Sequence, residues 1–189
     1  MTNNENTGGF IPKHGGYRKL IAFQKAEIIY DGTVFFCKRY FQKYDRTFDQ
    51  MVQAARSGKQ NLGEGSMASA TSKEMEIKLV NVARASLEEL LLDYEDYLRV
   101  NKLKKWDRSH KLSLRFDELN KTPNANYATF QKAIEHEDAE ISANVMRCLC
   151  KVTIYLLGQL VAHLEKAFIE EGGLRERMTR ARLQQRKKQ

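Results

Sequence analysis

Apolar side chains recur along most of this chain at helical spacing. From about residue 18 to 44, Leu20, Phe23, Tyr30, Val34, Cys37 and Phe41 follow steps of three and four, with Glu27 at the one polar step. Such stepping places them on one face of a long first helix. Ile21, Ile28 and Phe35 widen that stripe, so the helix needs two neighbours or a subunit interface. Asp45-Arg46-Thr47 breaks the pattern, and Thr47 with Gln50 has capping-box spacing. A second helix is expected over about 48–65 or slightly beyond.

Thr71 with Glu74 offers another capping box, opening a third helix over about 72–100. Its inner face is read as Leu79, Val82, Ser86, Leu87, Leu90, Leu91, Tyr94 and Leu98. Lys73, Glu74, Glu76, Lys78, Glu88, Glu89, Glu95 and Asp96 form the outer face. Residues 101–126 carry no clear period, and Thr122-Pro123-Asn124 is a breaker cluster, leaving room for one short helix. The last long helix is expected over about 127–171 with a bend near 135–138. Ile141, Val145, Cys148, Val152, Tyr155, Gln159 and His163 keep the stepping, and Gly172-Gly173 stops it.

Strand-like alternation and internal repeats are absent from the pattern. Four principal helices whose stripes must cover one another predict an all-α fold: an antiparallel up-down four-helix bundle with a C-terminal helical extension. The expected organisation is a mobile arm over 1–16, the bundle over 17–171 and a basic tail over 172–189.

One stretch departs from ordinary helix composition. Ala54-Ala55-Arg56-Ser57-Gly58-Lys59-Gln60-Asn61-Leu62-Gly63-Glu64-Gly65-Ser66 is mostly small where large side chains are expected. Each internal glycine costs about 1 kcal/mol relative to alanine. Close backbone approach to a neighbour explains that cost, with Gln60, Asn61 and Glu64 available to hydrogen-bond across the gap. A phosphate loop does not fit, because positions 53 and 60 are Gln53 and Gln60 and no strand precedes them.

Charge then adds a functional hint. The 189 residues carry a formal net charge of +8, which favours an anionic partner. Three cysteines, Cys37, Cys148 and Cys150, form no spaced framework, so reduced thiols and a cytoplasmic location are expected. The polar, Gly-rich N-terminal stretch has no signal-peptide core. Residues 141–164, the most apolar run, are interrupted by Arg147 and Lys151, so no membrane span is expected.

Catalytic constellations are incomplete. A di-metal bundle needs Glu-x-x-His on two helices, yet Ala133 and Leu160 stand three residues before His136 and His163, and Asp107-x-x-His110 occurs once. Cys148 and Cys150 point to nearly opposite helix faces and cannot share a tetrahedral zinc. His163, on the apolar stripe, is read as a core or interface residue. Glu88 with Glu89, and Glu95 with Asp96, are read as a solvated face or subunit contacts. No catalytic residue, cofactor or metal is assigned, and the chain is read as a non-enzyme.

Basic clusters remain. Arg18, Lys19 and Lys25 open the first helix, while Arg56 and Lys59 lie one turn apart on the second. Lys102, Lys104 and Lys105 adjoin Trp106, a candidate for stacking on a base. Arg175, Arg177, Arg180 and Arg182 lie in a tail whose basic residues face a single acid, Glu176. Phosphate contacts from such clusters give salt-dependent, weakly sequence-specific binding.

Three segments also carry a resemblance. They are Tyr17-Arg18-Lys19-Leu20, Asp45-Arg46-Thr47-Phe48-Asp49-Gln50-Met51-Val52 with the run 54–66, and the stretch from Glu76-Ile77-Lys78-Leu79 to Glu88-Glu89-Leu90. Together they resemble the four-helix-bundle family of proteins encoded by intervening sequences of bacterial 23S ribosomal RNA genes. That family includes the accessory variability protein of diversity-generating retroelements. Ala143-Asn144-Val145-Met146, Glu165 to Gly173 and Arg175 to Arg182 resemble its longer "suffix" branch. The resemblance implies an antiparallel bundle that assembles as a homopentamer. For the retroelement member it implies binding to nucleic acid and to a reverse transcriptase. Five copies of a +8 chain would carry about +40, a field that attracts polyanions at low salt. The alternative expectation is a protein–protein scaffold that binds no nucleic acid.

Overall fold

The computed structural model describes residues 16–42 and 44–186. Apart from Gly16, the expected arm over 1–16 lies outside the described residues, as do 187–189 of the tail. A 3-10 turn, Gly16–Lys19, precedes seven α-helices: α1 (Ile21–Tyr40), α2 (Arg46–Ala68), α3 (Lys73–Val100), α4 (Lys111–Asn120), α5 (Tyr127–Ile134), α6 (Ala139–Glu171) and α7 (Leu174–Arg186). The fold is all-α, with no strand among the described residues.

Local chemistry sets the helix ends. Asp45, not Thr47, caps α2: its carboxylate accepts from the Thr47 N–H at 2.8 Å. The aspartate, two residues earlier, supplies the acceptor. Ser72, not Thr71, caps α3 by accepting from Met75 N–H at 3.1 Å. The expected bend near 135–138 is a full break. Asp138 caps α6 by accepting from Glu140 N–H at 2.8 Å, and Ser142 Oγ donates to the Ile134 carbonyl at 2.5 Å, tying the end of α5 to α6. Gly172, with φ of 73°, ends α6 where a side chain would be strained.

The four long helices enclose one core. α2 packs along α3, α3 along α6, and α1 against both α2 and α6. Phe36, Met51, Leu62, Leu87, Leu90, Leu98, Met146 and Leu149 are fully buried there. Phe36 is the aromatic hub, with ring centroids 5.1 Å from Tyr94 and 4.9 Å from Tyr97. The buried Tyr94 hydroxyl donates to Thr33 Oγ1 at 3.0 Å, which in turn donates to the Ile29 carbonyl at 2.7 Å. A buried polar pair is tolerated because each group is satisfied.

Two face assignments differ from the spacing argument. On α3, Val82 is exposed while Val80 and Ala83 face inward. On α6 the expected stripe is rotated: Tyr155, Gln159 and His163 are exposed, and Ser142, Met146, Leu149, Thr153, Leu157 and Leu164 are buried. His163 is therefore not a core residue. Cys150 is fully buried and Cys148 half-buried, as opposite faces of one helix require. Their thiols, and that of Cys37 at about 12, are pushed up by burial, so they stay protonated and unreactive at neutral pH.

The small-residue run packs α2 against α3. A methyl group added at Gly58 would meet Leu87 Cδ2 at 2.8 Å and Cγ at 2.9 Å, and one at Gly65 would meet Leu79 Cβ at 3.3 Å. Across the seam Ser57 and Ser86 share a hydrogen bond of 2.9 Å. Asn61 instead bonds back to the Ser57 carbonyl at 2.9 Å, and Gln60 and Glu64 face solvent, so among the described residues the serine pair alone bridges α2 and α3. Progress along α2 from Ser57 to Gly65 runs backward along α3 from Leu87 to Leu79, so this pair is antiparallel.

Gly58→Ala is expected to destabilise the fold by about 1 kcal/mol, because overpacking against Leu87 outweighs the helix-propensity gain. Gly158→Ala, with nothing within 4 Å of the new methyl group, is expected to stabilise it by up to about 1 kcal/mol. Urea unfolding of both variants checks the pair; equal effects would contradict the close-approach account.

Candidate nucleic-acid interface

The predicted basic residues fall into two groups, most of them exposed with Lys59 and Arg177 half-buried, and Lys25 belongs to neither. It is buried on α1, its ammonium donates to Asn120 Oδ1 on α4, and it sits 5.5 Å from the centre of the Phe130 ring. Burial lowers its pKa. Lys25 is thus an internal tie between α1 and the α4–α5 segment and offers no charge to a phosphate.

The first group lies along α1 and α2. Arg18 and Lys19 are exposed on the 3-10 turn. That turn is pinned because the Tyr17 ring packs over Gly63 of α2 and lies 4.7 Å from the Phe23 ring. One turn back along α2, the Lys59 ammonium sits 4.1 Å from the Tyr30 ring centre, a cation–π contact. Arg56 is exposed beside it.

The second group is α7. Its sequence, LRERMTRARLQQR, holds five arginines against Glu176, and the helix buries no side chain. Arg175, Arg182 and Arg186 are seven and four positions apart and share one face, whereas Arg177 and Arg180 lie on the other. Arg180 donates to the Glu171 carbonyl, closing the α6–α7 corner. Arg177 Nε and Nη2 are enclosed without an acceptor among the described residues. No arginine of α7 forms a salt bridge among the described residues. Arg186 belongs with the predicted four, a residue the tail's overall charge already signalled.

Trp106 and its neighbouring lysines serve the fold instead. The indole is 3% exposed and stacks on His110 at 5.0 Å, so no base can reach its face. Asn144 of α6 holds the chain there: its Oδ1 accepts from Trp106 N–H at 2.9 Å and its Nδ2 donates to the Lys104 carbonyl at 2.8 Å. The Lys104 N–H donates to Glu140 at 2.9 Å. Glu95 of α3 accepts from Arg147 Nε at 2.7 Å and Lys105 Nζ at 3.2 Å. Burial opposes the charge on Glu95, but these two cations outweigh it and hold the carboxyl below its ordinary range.

The spacing argument missed a cavity of about 660 Å³ between α4, α5 and the first turns of α6. Leu112, Phe116 and Leu119 line it at three- and four-residue steps on α4, a signal confined to one short helix. Among the described residues no group of three or more His, Cys, Asp or Glu is placed to hold a metal. The helix beginning at Ala139 is long and apolar enough to cross a membrane by length and composition alone, a property shared by core helices, and half of that apolar window is buried inside the fold. No protein-family model, curated protein or solved structure matches this chain.

Glu95→Gln is expected to lower stability at pH 7 by about 2 kcal/mol, because it leaves the buried Arg147 without its counter-charge. Since the folded pKa is depressed, this stabilisation is full above the ordinary carboxylate range and disappears as pH falls through the folded value. Denaturant unfolding of both proteins from pH 7 to pH 2 should show the gap closing in acid. A pH-independent gap would contradict the ion-pair account.

Proposed function

We propose that this chain is a non-catalytic nucleic-acid-binding protein that uses α7 as its principal phosphate-contacting element. The observation that carries the reading is the arginine-rich helix itself: five arginines with no acid partner among the described residues, on a helix none of whose residues is buried. A 13-residue helix is marginal alone in water, and a polyanion supplies both the counter-charge and the surface it lacks. Arg18, Lys19, Arg56 and Lys59 form a second, weaker patch on the α1–α2 side. In this reading the four long helices α1, α2, α3 and α6 are an antiparallel up-down bundle spanning 17–171, and 172–189 is its basic extension. The resemblance to the intervening-sequence and retroelement accessory proteins supports a homopentamer in the cytoplasm, delivering RNA or DNA to an enzyme such as a reverse transcriptase.

A protein-scaffold role is the second reading, and the outer face of α3 favours it. Met75, Val82 and Leu92 are 46%, 47% and 62% exposed there, interleaved with Glu89 and Asp96. Such an apolar and acidic stripe suits another protein surface better than a phosphate backbone.

Fluorescence anisotropy with a labelled single-stranded RNA in a salt series tests the first reading. Wild-type protein should bind with a strongly negative salt slope. Replacing Arg175, Arg177, Arg180 and Arg182 with alanine should make that slope shallower by about 3 and weaken binding on RNA of any sequence. Absence of binding to RNA or DNA at low salt, or an unchanged slope in the variant, would overturn the assignment.

A further inference from the structure

The cavity between α4, α5 and α6 has the composition of a small-molecule site, and its donors and acceptors are unbalanced. Trp106, Leu112, Phe116 and Ile141 supply apolar walls around about 660 Å³, a size within the range of ligand pockets. Its polar groups are mostly donors. Arg115 and Lys132 border it, are exposed, and form no ion pair among the described residues. The one carboxylate at its edge, Glu118, is already paired with Lys121 at 2.8 Å. His136 accepts from the Asp138 N–H at Nδ1, 3.0 Å away, which leaves its own proton on Nε2 as a further donor. Two cations without an ion pair among the described residues, the His136 N–H and apolar walls call for a molecule with an apolar body and an anionic, acceptor-rich head.

From this we infer that the α4–α5–α6 cavity binds a small amphipathic carboxylate, its apolar part between Phe116 and Ile141 and its head toward Arg115 and Lys132. The site is independent of the nucleic-acid reading. Ile141 and Gly172 stand at opposite ends of α6, about 45 Å apart at the helical rise, so α7 does not border the cavity. An apolar alcohol of the same length would fill the walls but leave both cations uncompensated. Charge therefore accounts for selectivity, and apolar burial for affinity.

Isothermal titration of the full chain at pH 7 with sodium decanoate, 1-naphthoate and decanol tests the inference. At least one acid should saturate at one site per chain, and decanol should bind about tenfold more weakly than decanoate or worse. Preference between the two acids distinguishes a chain-shaped from a ring-shaped occupant, and either supports the site. Arg115→Ala with Lys132→Ala should weaken acid binding by about tenfold or more, and Ala133→Phe, which fills the cavity, should abolish it. If Ala133→Phe fails to fold by circular dichroism, the exposed Arg115 and Lys132 pair decides alone. Failure of both acids to saturate by about 1 mM, equal binding of decanol and decanoate, or undiminished binding in the double variant would overturn it.

Discussion

The arrangement of this molecule depends on how two side chains of α6 hold the long crossover between α3 and α6. Asn144 is fully buried, yet both ends of its amide are used, one accepting from Trp106 and the other donating to Lys104. Arg147, one turn on, is 6% exposed and is paired with Glu95 of α3. An unmade hydrogen bond at either buried position would cost more than the bond itself contributes. The crossover therefore has one route across α6. That route buries Trp106, sets where α4 begins at Lys111, and leaves a cavity between α4, α5 and α6.

The same constraint explains what the sequence could and could not convey. Helix existence was legible because α1, α2 and α3 each bury one face and wet the other. On α6, six consecutive residues from Ser142 to Arg147 are buried, because the crossover covers the side that the core does not. Periodicity carries no facing information where nothing is polar-side out, and the stripe read through Tyr155 and His163 came out rotated. On α3 the error at Val82 has a different cause. α2 approaches so closely at Gly58 that the inward position belongs to Ala83, a small residue that spacing rules underrate. The glycine run itself was read correctly as a close-packing segment, since a missing side chain is visible in sequence and its reason is purely steric.

Basic residues were legible only as charge. Composition marks Lys25 and Arg175 alike as cations, but Lys25 lies three residues from Ile28 on a face that turns into the core, and its ammonium is held there by Asn120 and the Phe130 ring. Trp106 misled in the same way: an aromatic beside lysines suggests base stacking, whereas here the lysines turn outward to Glu95 or solvent and the ring turns inward. Arg175, Arg182 and Arg186 remain exposed because α7 follows Gly172, beyond the reach of the core. The molecule thus separates two kinds of surface. One end holds an apolar, donor-lined pocket, and the other carries a cationic helix whose arginines have no acid partner among the described residues.

Hydrogen–deuterium exchange of the full chain, with and without a saturating excess of single-stranded RNA, tests the central claim most directly. An unsupported helix exchanges quickly, and one docked on a phosphate backbone does not. The account predicts rapid exchange over 174–186 in the free protein and strong protection there with RNA, while the core of α3 is unchanged. Exchange over 174–186 that stays the same in the presence of RNA would contradict it.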